Sequence, residues 1–325
     1  MAGYKFGNKA NFGENTTLSG NFQYVFGSGN TNVADYTVVG GLSNGNATTS
    51  EHSFVWGSGN LVSGSNTACF GRGNILDGSA GDFNLLVGIN NRLMENADYH
   101  VIGGYGNSGG CNGGLTYGAQ NLNDVDKNGM GYQLVGGSGN TVSGANYGMT
   151  TGKSNIAHED FTHGLQIGES GSSPGGCMGS ISTAAGAFAA KGDAQLTTHM
   201  VYRGQTTDNT STAIYIDESS GWAWDIAAND SIIVKATVIG RKAGDAGQSA
   251  AYEVIAAFKN QGGTTTIGTT GVTKRVLNED TGTTNYDATL AANDTDDTFE
   301  LKVTGDTGHN VNWMAHVEVL KLNVA

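Results

Sequence analysis

Short apolar runs alternate with glycine and asparagine through the first half of the chain. A run of about three apolar residues is usually followed by a glycine and, three positions later, by an asparagine. The pair recurs nine times, at Gly27/Asn30, Gly41/Asn44, Gly57/Asn60, Gly71/Asn74, Gly88/Asn91, Gly104/Asn107, Gly118/Asn121, Gly137/Asn140 and Gly152/Asn155. Steps of 14 to 19 residues are too short for a helix pair or a propeller blade, but they hold two short strands and two tight turns. The pattern predicts a parallel β-roll, or β-solenoid, with coils of about 15 residues.

Glycine and asparagine at these positions are typical of turns. Glycine adopts positive φ without a Cβ clash, and asparagine tolerates left-handed geometry, bonds to its own backbone and stacks into ladders. We therefore assign the repeat a structural role in preference to a metal or glycan site. The turn-forming residues include Gly27, Asn30, Gly57, Asn60, Gly71, Asn74, Gly137 and Asn140. The expected core is Phe54 or Val55 with Trp56 and Val62 around Gly57, and Phe70 with Leu76 around Gly71.

Longer strands with strict alternation follow after residue 190. Within 230–239, 251–259 and 310–322 every second residue is apolar, and clusters rich in glycine, aspartate and threonine separate these runs. The expected buried faces are Ile232/Val234/Ala236/Val238, Tyr252/Val254/Ala256/Phe258 and Val311/Trp313/Ala315/Val317/Val319. Alternation of this kind predicts half-buried antiparallel strands, and about eight to ten of them predict a β-sandwich or jelly roll.

Composition supports a division of the all-β chain into two parts. Most of its 53 glycines precede residue 190, and its single proline, Pro174, follows the last clear repeat. We predict an N-terminal cap or attachment segment at 1–21, the β-roll at 22–175, a linker at 176–195 and the antiparallel domain at 196–325.

Charge and cysteine content narrow the function classes. The net charge is −13 with no basic stripe, so nucleic acid is not an expected partner. Three widely spaced cysteines match neither a disulfide framework nor a zinc signature. No apolar segment resembles a signal peptide or a membrane helix, so we expect a protein that folds in a reducing cytoplasm without membrane insertion.

A single narrow roll buries little apolar surface for each residue and exposes strand edges at its ends. Packing three copies about one axis would bury a second face of each roll. We therefore expect a homotrimer.

The repeat resembles the head domains of trimeric autotransporter adhesins. The resemblance covers roughly residues 20–170 and rests on segments such as 56–64 (WGSGNLVSG) and 135–144 (VGGSGNTVSG). It implies a left-handed parallel β-roll built as a trimer. The secretion signal, stalk heptads and membrane anchor of that family have no counterpart here, which disfavours a bacterial adhesin, and similar rolls are found in phage tail fibres.

Residues 196–325 look like a C-terminal β module of tailed-phage virion proteins. The segments that carry this resemblance are 238–242 (VIGRK), 249–254 (SAAYEV), 301–305 (LKVTG) and 311–319 (VNWMAHVEV). The resemblance implies a trimeric virion protein but no particular ligand. We expect this protein to be assembled in the host cytoplasm and to contact other tail or baseplate proteins. The expected function is a non-enzymatic tail fibre that binds a host surface glycan or outer-membrane receptor. The alternatives are a head fibre or capsid decoration protein and a tailspike glycosidase.

Four motifs could in principle carry chemistry, but a structural role explains each of them better. Gly152-Lys153-Ser154 lacks the earlier glycine of a phosphate loop, and His158 and His163 have the wrong spacing for a zinc protease. Segment 293–297 lacks the glycine and distal glutamate of a calcium loop. The roll carboxylates Asp77, Asp82, Glu95 and Asp98 occupy turns without visible convergence. We expect no catalytic, metal or cofactor site.

Tyr215, Trp222 and Trp224 form the densest aromatic cluster of the C-terminal part. Exposed clustered aromatic rings mark binding surfaces and stack on sugars. The cluster is the candidate glycan site, although burial of both tryptophans in the core or at a trimer axis is the more common outcome.

Overall fold

The structure is a computed structural model in which two compact units are described separately. It describes residues 9–77, 83–94, 97–110, 112–124, 131–144, 147–158, 161–173, 178–216, 218, 223–244 and 248–323. Unit 1 ends at Ser154 and unit 2 begins at Asn155. Every regular element among the described residues is a strand, as the sequence predicts.

Unit 1 is a parallel β-solenoid in which each coil contributes one long and one short strand. The long strands are β1 (Lys9–Glu14), β3 (Gln23–Ser28), β5 (Val38–Leu42), β7 (Phe54–Ser58), β9 (Ala68–Arg72), β11 (Leu85–Ile89), β13 (Val101–Tyr105), β15 (Leu115–Ala119), β17 (Leu134–Ser138) and β19 (Met149–Lys153). The short strands are β2 (Thr17–Leu18), β4 (Thr31–Asn32), β6 (Gly45–Asn46), β8 (Leu61–Val62), β10 (Ile75–Leu76), β12 (Arg92–Leu93), β14 (Ser108–Gly109), β16 (Leu122–Asp124) and β18 (Thr141–Ser143). Each long strand pairs in parallel with the long strand of the next coil, with the repeat glycines in register.

The described part of the solenoid begins earlier than the sequence indicated. Strand β1 pairs in parallel with β3 from Lys9↔Gln23 to Glu14↔Ser28, and β2 pairs with β4. Residues 9–18 of the predicted cap segment therefore form a coil, and residues 1–8 lie outside the described residues.

Stacked asparagines form a hydrogen-bonded ladder inside unit 1. Each repeat asparagine from Asn44 to Asn140 donates its backbone N–H and its Nδ2 to Oδ1 of the asparagine one coil earlier, at 2.9–3.2 Å. The same Nδ2 also reaches two carbonyl oxygens, as Asn74 does to Phe70 (3.1 Å) and Gly88 (2.9 Å). The ladder therefore satisfies amide groups that would otherwise be buried without partners.

Left-handed geometry falls on the residue before each asparagine, and not on the asparagine itself. Gly29, Gly59, Gly73 and Gly139 have φ values of 65–67°, and Asn90 has φ 55°. The expectation that the repeat asparagines themselves adopt left-handed φ was wrong. The preceding residue makes the turn, and the asparagine side chain points into the ladder.

The solenoid core is narrow and changes character along the chain. Its apolar part runs from Val25 through Val55, Val62 and Leu76 to Ile102. Near His100 the interior contains a polar cluster: His100 Nε2 lies 3.1 Å from Thr116 Oγ1, and Asn123 Nδ2 donates a hydrogen bond to the same oxygen.

The predicted core was partly wrong about which apolar side chains point inward. Val55, Val62 and Leu76 are fully buried, whereas Phe54, Trp56 and Phe70 are 38–45% exposed. In each long strand the middle residue of the apolar triplet points inward, so its two neighbours point outward.

Unit 2 begins with parallel coils and continues into antiparallel sheets. Its strands are β20 (Ile156–Ala157), β21 (Leu165–Glu169), β22 (Ile181–Ala185), β23 (Ala194–Thr206), β24 (Thr212–Ile214), β25 (Asp230–Lys242), β26 (Ser249–Asn260), β27 (Thr265–Ile267), β28 (Thr273–Glu279), β29 (Asp287–Asn293), β30 (Thr298–Thr304) and β31 (Val311–Asn323). Strand β22 pairs in parallel with β21 and antiparallel with β23. It lies within the segment 176–195 that the sequence assigned to a linker.

Two antiparallel sheets share the hydrophobic core of unit 2. One sheet contains β23, β31, β25 and β26 in that order, and the other contains β24, β30 and β29. The three alternating faces that the sequence predicted, including Trp313 at 2% exposed, are buried in this core together with Tyr202, Trp224 and Phe299.

Candidate interaction surfaces

Two columns of outward residues on the long strands β3–β19 are rich in exposed apolar side chains, and we call them the long-strand face. In each coil it carries the residues one and three positions before the repeat glycine. The first column contains Phe26, Gly40, Trp56, Phe70, Val87, Gly103, Tyr117, Gly136 and Thr151, and the second contains Tyr24, Val38, Phe54, Ala68, Leu85, Val101, Leu115, Leu134 and Met149. None of these residues is charged. A sheet face in contact with water usually carries polar side chains, and an uncharged apolar face is typical of an interaction surface.

Rings on the long-strand face pack against one another and against glycines. Phe54 stacks on Trp56 at 6.0 Å and contacts Phe70 at 5.4 Å between ring centroids. A Cβ at Gly40 would lie 2.2 Å from the Trp56 ring, so the absent side chain at Gly40 leaves the space that the indole fills. Tyr117 covers Gly136 in the same way. Large rings on the long-strand face therefore fill the space left by glycine on an adjacent coil.

A second column of rings, which we call the aromatic column, runs along one corner of unit 1. It contains the residue five positions before the repeat glycine: Phe22, Tyr36, His52, Asn66, Phe83, Tyr99, Gly113, Tyr132 and Tyr147. Successive rings stack nearly parallel at 4.9 Å (Phe22–Tyr36), 5.0 Å (Tyr36–His52) and 5.2 Å (Phe83–Tyr99). Stacking covers the ring faces, so the column presents ring edges and tyrosine hydroxyl groups to solvent.

Most members of the aromatic column have left-handed backbone geometry. Phe22, Tyr36, His52 and Tyr99 have φ values of 52–55°. This geometry costs about 1–2 kcal/mol for a residue other than glycine, and ring stacking offsets about 0.5–1.5 kcal/mol of that cost. This column is not among the features predicted from the sequence, although an aromatic residue at a fixed offset from the repeat glycine is a visible signal.

The short-strand side of unit 1 differs because it carries charge. Arg92 on β12 forms an ion pair with Asp77. Of the other roll carboxylates that the sequence singled out, Asp82 and Glu95 lie outside the described residues, and the backbone N–H of Asp98 donates to Asn112.

The predicted glycan cluster divides between the core and the surface. Trp224 is 1% exposed and belongs to the core of unit 2, whereas Tyr215 is half-buried and its backbone bonds to Arg203 at 2.8 Å. Burial, with a smaller contribution from the Glu300 carboxylate, raises the pKa of Tyr215. Trp222 lies outside the described residues. A glycan role of this cluster stays a prediction.

The remaining motifs occupy structural positions. Gly152 is in register with Gly137 and Lys153 ends β19. His158 Nε2 lies 3.1 Å from Ser172 Oγ. Asp294 and Asp297 accept hydrogen bonds from the backbone N–H (2.6 Å) and hydroxyl (2.8 Å) of Thr265. Among the described residues no three His, Cys, Asp or Glu side chains are grouped as a metal site would need.

Cys69 is fully buried in the solenoid core. Desolvation raises the pKa of its thiol to about 12, so the thiol is protonated and unreactive at neutral pH. Cys111 and Cys177 lie outside the described residues.

Asp193 organises the loop between β22 and β23. Its carboxylate, 3% exposed, accepts the backbone N–H groups of Phe188, Ala189 and Ala190 at 2.6–3.1 Å. The hydrogen bonds from Ala189 and Ala190 lower the pKa of Asp193, with a smaller contribution from Phe188. The pKa of an aspartate in the unfolded chain is about 3.9. A carboxylate whose pKa in the folded state lies below that value stabilises the fold at higher pH, and this stabilisation is lost as pH falls through the folded-state pKa.

We therefore expect acid to release the Asp193 loop. Amide hydrogen exchange at Phe188, Ala189 and Ala190, corrected for intrinsic rates, should lose protection as pH falls below about 3.9. In Asp193→Asn protection should be low and should no longer depend on pH in this range. Equal protection in both proteins at neutral pH would contradict the assignment.

Among the described residues no helix is long and apolar enough to span a membrane.

Comparison with known proteins gives remote structural similarities to phage tailspike proteins. No protein-family model and no curated protein matches the chain. The tailspike protein of Acinetobacter baumannii phage AM24 is 11% identical with a TM-score of 0.27, over 98% of this chain and 56% of that chain. The tailspike protein of Acinetobacter phage vB_ApiP_P1 is 10% identical with a TM-score of 0.20, over 98% of this chain and 81% of that chain. This chain thus spans little more than half of the first tailspike. Similarities at this level carry no argument about function.

Proposed function

We propose that the protein is a non-enzymatic structural subunit of a phage tail appendage, assembled as a homotrimer that binds a glycan on the host surface. The observation that carries the proposal is the long-strand face, whose two columns hold 18 outward positions and no charged residue. A stable interface takes roughly 20–30 residues from each partner, and the long-strand face comes close to that number.

Identical copies are the partner that this face fits. It repeats the same two outward positions in every coil and lacks charge from Tyr24 to Thr151, so the same side of a second copy is complementary to it in length and in chemistry. Three copies about one axis would cover each long-strand face while the short-strand sides, with the Arg92–Asp77 pair, remain in water.

The virion assignment comes from the sequence resemblance, and the glycan ligand comes from the aromatic residues Tyr215, Trp222 and Trp224. The β module at residues 196–325 resembles a module of tailed-phage virion proteins, and its antiparallel sheets would form a sandwich. Three binding sites on one rigid axis would convert weak glycan affinity into strong attachment through avidity.

Replacement of Trp56 by aspartate should prevent assembly. The indole is at the centre of the ring cluster on β7, and three buried carboxylates would have to lose their hydration. Truncation of a central interface residue alone costs about 2 kcal/mol or more. Native mass measurement should give three times the 33.4 kDa of one chain for the unaltered protein and a single chain for Trp56→Asp.

Leu61→Asp is the matched control, because Leu61 is an equally exposed apolar residue on the short strand β8. This variant should remain trimeric. A monomeric unaltered protein would refute the proposed assembly. Binding to purified host surface glycan tests attachment, and release of reducing ends from that glycan would overturn the non-enzymatic part.

A further inference from the structure

Phe188 is the most exposed large apolar side chain among the described residues, at 81%. It lies on the 186–193 loop, whose backbone is fixed by the three hydrogen bonds to Asp193. A large ring on an ordered loop loses little conformational freedom when a partner covers it. The loop therefore presents Phe188 as a preorganised contact.

A shallow apolar depression lies beside this loop on the outward side of the same sheet. Its volume is about 500 Å³. It is lined by Ala184, Ala185, Ala194, Leu196, Leu320 and Leu322, together with the polar residues Thr183, Gln195 and Lys321. The three leucines are 38–52% exposed. Phe188 of the same chain does not line it. The depression offers more than enough room for one phenyl ring.

The order of strands decides which cavity a second copy could reach. The depression spans β22, β23 and β31, which are hydrogen-bonded neighbours. Strands in a sheet are about 4.8 Å apart. If the threefold axis of the proposed trimer is parallel to the direction in which the strands stack, rotation about it leaves the height of each residue along that axis unchanged. The Phe188 ring of a neighbouring subunit therefore arrives at the level of β22 and β23.

A second apolar cavity does not meet this condition. It has a volume of about 380 Å³ and is lined by Ile233, Ala257 and Phe258 on β25 and β26. These strands lie beyond β31 in the sheet, two or three strand spacings from the Phe188 loop.

We infer that Phe188 of each subunit fills the depression formed by Leu196, Leu320 and Leu322 on its neighbour. The contact is heterologous, and three of them close into a ring about a threefold axis. This inference rests on the trimer proposed above. One ring in one depression is far smaller than the roughly 800 Å² per partner of a stable interface, so the contact acts together with the rest of the apolar sheet.

Continuity of the sheet favours a second copy as the occupant. Strand β21 in unit 2 carries the outward apolar residues Leu165 and Ile167, and Ile167 is aligned through Thr183 with Leu196 and Leu320. The apolar pattern of the long-strand face thus also occurs in unit 2 and ends at the depression.

Photo-crosslinking from position 188 tests the contact. The full chain with p-benzoylphenylalanine in place of Phe188 is coexpressed with an isotopically labelled unaltered chain and irradiated. We expect crosslinks between chains, attached to peptides that contain Leu196 or Leu320. A trimeric mass with crosslinks only within one chain, or with none, overturns the inference and leaves the trimer intact. A monomeric mass overturns both.

Phe188→Ala gives a second readout. Its trimer should dissociate at a protein concentration at least about tenfold higher than the unaltered trimer does, measured by sedimentation of a dilution series. Leu277→Ala removes a comparable exposed apolar side chain from β28, outside the depression, and should leave that concentration unchanged. Equal dissociation of the two variants would contradict the role of Phe188.

Discussion

Replacement of Gly57 by alanine should unfold the coils around it, whereas the same replacement at Gly59 should cost about 1–2 kcal/mol. A Cβ at Gly57, where φ is +133°, would lie 1.9 Å from the carbonyl oxygen of Gly71 on the next coil. No side-chain rotation relieves that contact, because both atoms belong to paired backbones. The coils would have to separate, and we expect a loss above about 4 kcal/mol in the free energy of unfolding.

Gly59 provides the matched control within the same turn. Its φ is +66°, and a Cβ there would meet nothing within 4 Å, so only the left-handed backbone is penalised. Urea unfolding followed by circular dichroism measures both variants. Similar midpoints for the two would show that the approach of Gly57 to Gly71 is not what limits side-chain size.

Replacement of Asn74 in the middle of the ladder should have the second largest effect. Its Nδ2 donates to Asn60 Oδ1 (3.1 Å), Phe70 O (3.1 Å) and Gly88 O (2.9 Å). Its Oδ1 accepts the backbone N–H and the Nδ2 of Asn91 at 3.0 and 3.2 Å. Asn74→Ala leaves several of these buried groups unpaired, at about 1–3 kcal/mol each, so we expect a loss of at least about 3 kcal/mol.

Asn74→Asp keeps the shape of the side chain and removes its two donor hydrogens. The carboxylate would face three oxygen acceptors in a buried position, so this variant should be less stable than Asn74→Ala at pH 7. Its folded pKa should be raised, and its deficit should therefore shrink as pH falls. Asn209→Ala, at an exposed turn in unit 2, is the control and should change stability by less than about 0.5 kcal/mol. A deficit for Asn74→Asp that does not depend on pH would contradict this account.

The repeat spacing and the long alternating strands were predictable because each has one dominant physical cause. Only backbone without a Cβ can approach as closely as Gly57 and Gly71 do, so glycine at a fixed period reports the coil. Strict alternation around Val234 or Val317 reports a sheet with one buried face. The structure confirms both patterns.

The orientation of the apolar triplets could not be predicted in the same way. In Phe54-Val55-Trp56 all three residues are apolar, so alternation does not distinguish the core side from the outward side. The narrow interior decides the outcome, because it accepts Val55 and has no room for two large rings. The exposed rings of the long-strand face follow from that geometry.

The burial of the aromatic residues was also not predictable from alternation alone. Residues two apart on a strand share a face, but the sequence does not state which strand will cover that face, and Trp224 is enclosed by the core of unit 2. The aromatic column was missed for a different reason. Phenylalanine and tyrosine are uncommon in left-handed geometry, and only the stack of neighbouring coils makes it tolerable at Tyr36.

Paired strands of unit 1 are separated by a nearly constant number of residues, and this regularity affects both folding and the length of the solenoid. Ladder partners in unit 1 lie 14 to 19 residues apart, so closing each new coil carries almost the same small entropic penalty and the preceding coil serves as its template. Growth can then advance one winding at a time from a single nucleus. Removing one complete coil would shorten the solenoid by about 4.8 Å and leave all the remaining strands paired. The number of coils therefore sets the length of the solenoid in steps of about 4.8 Å.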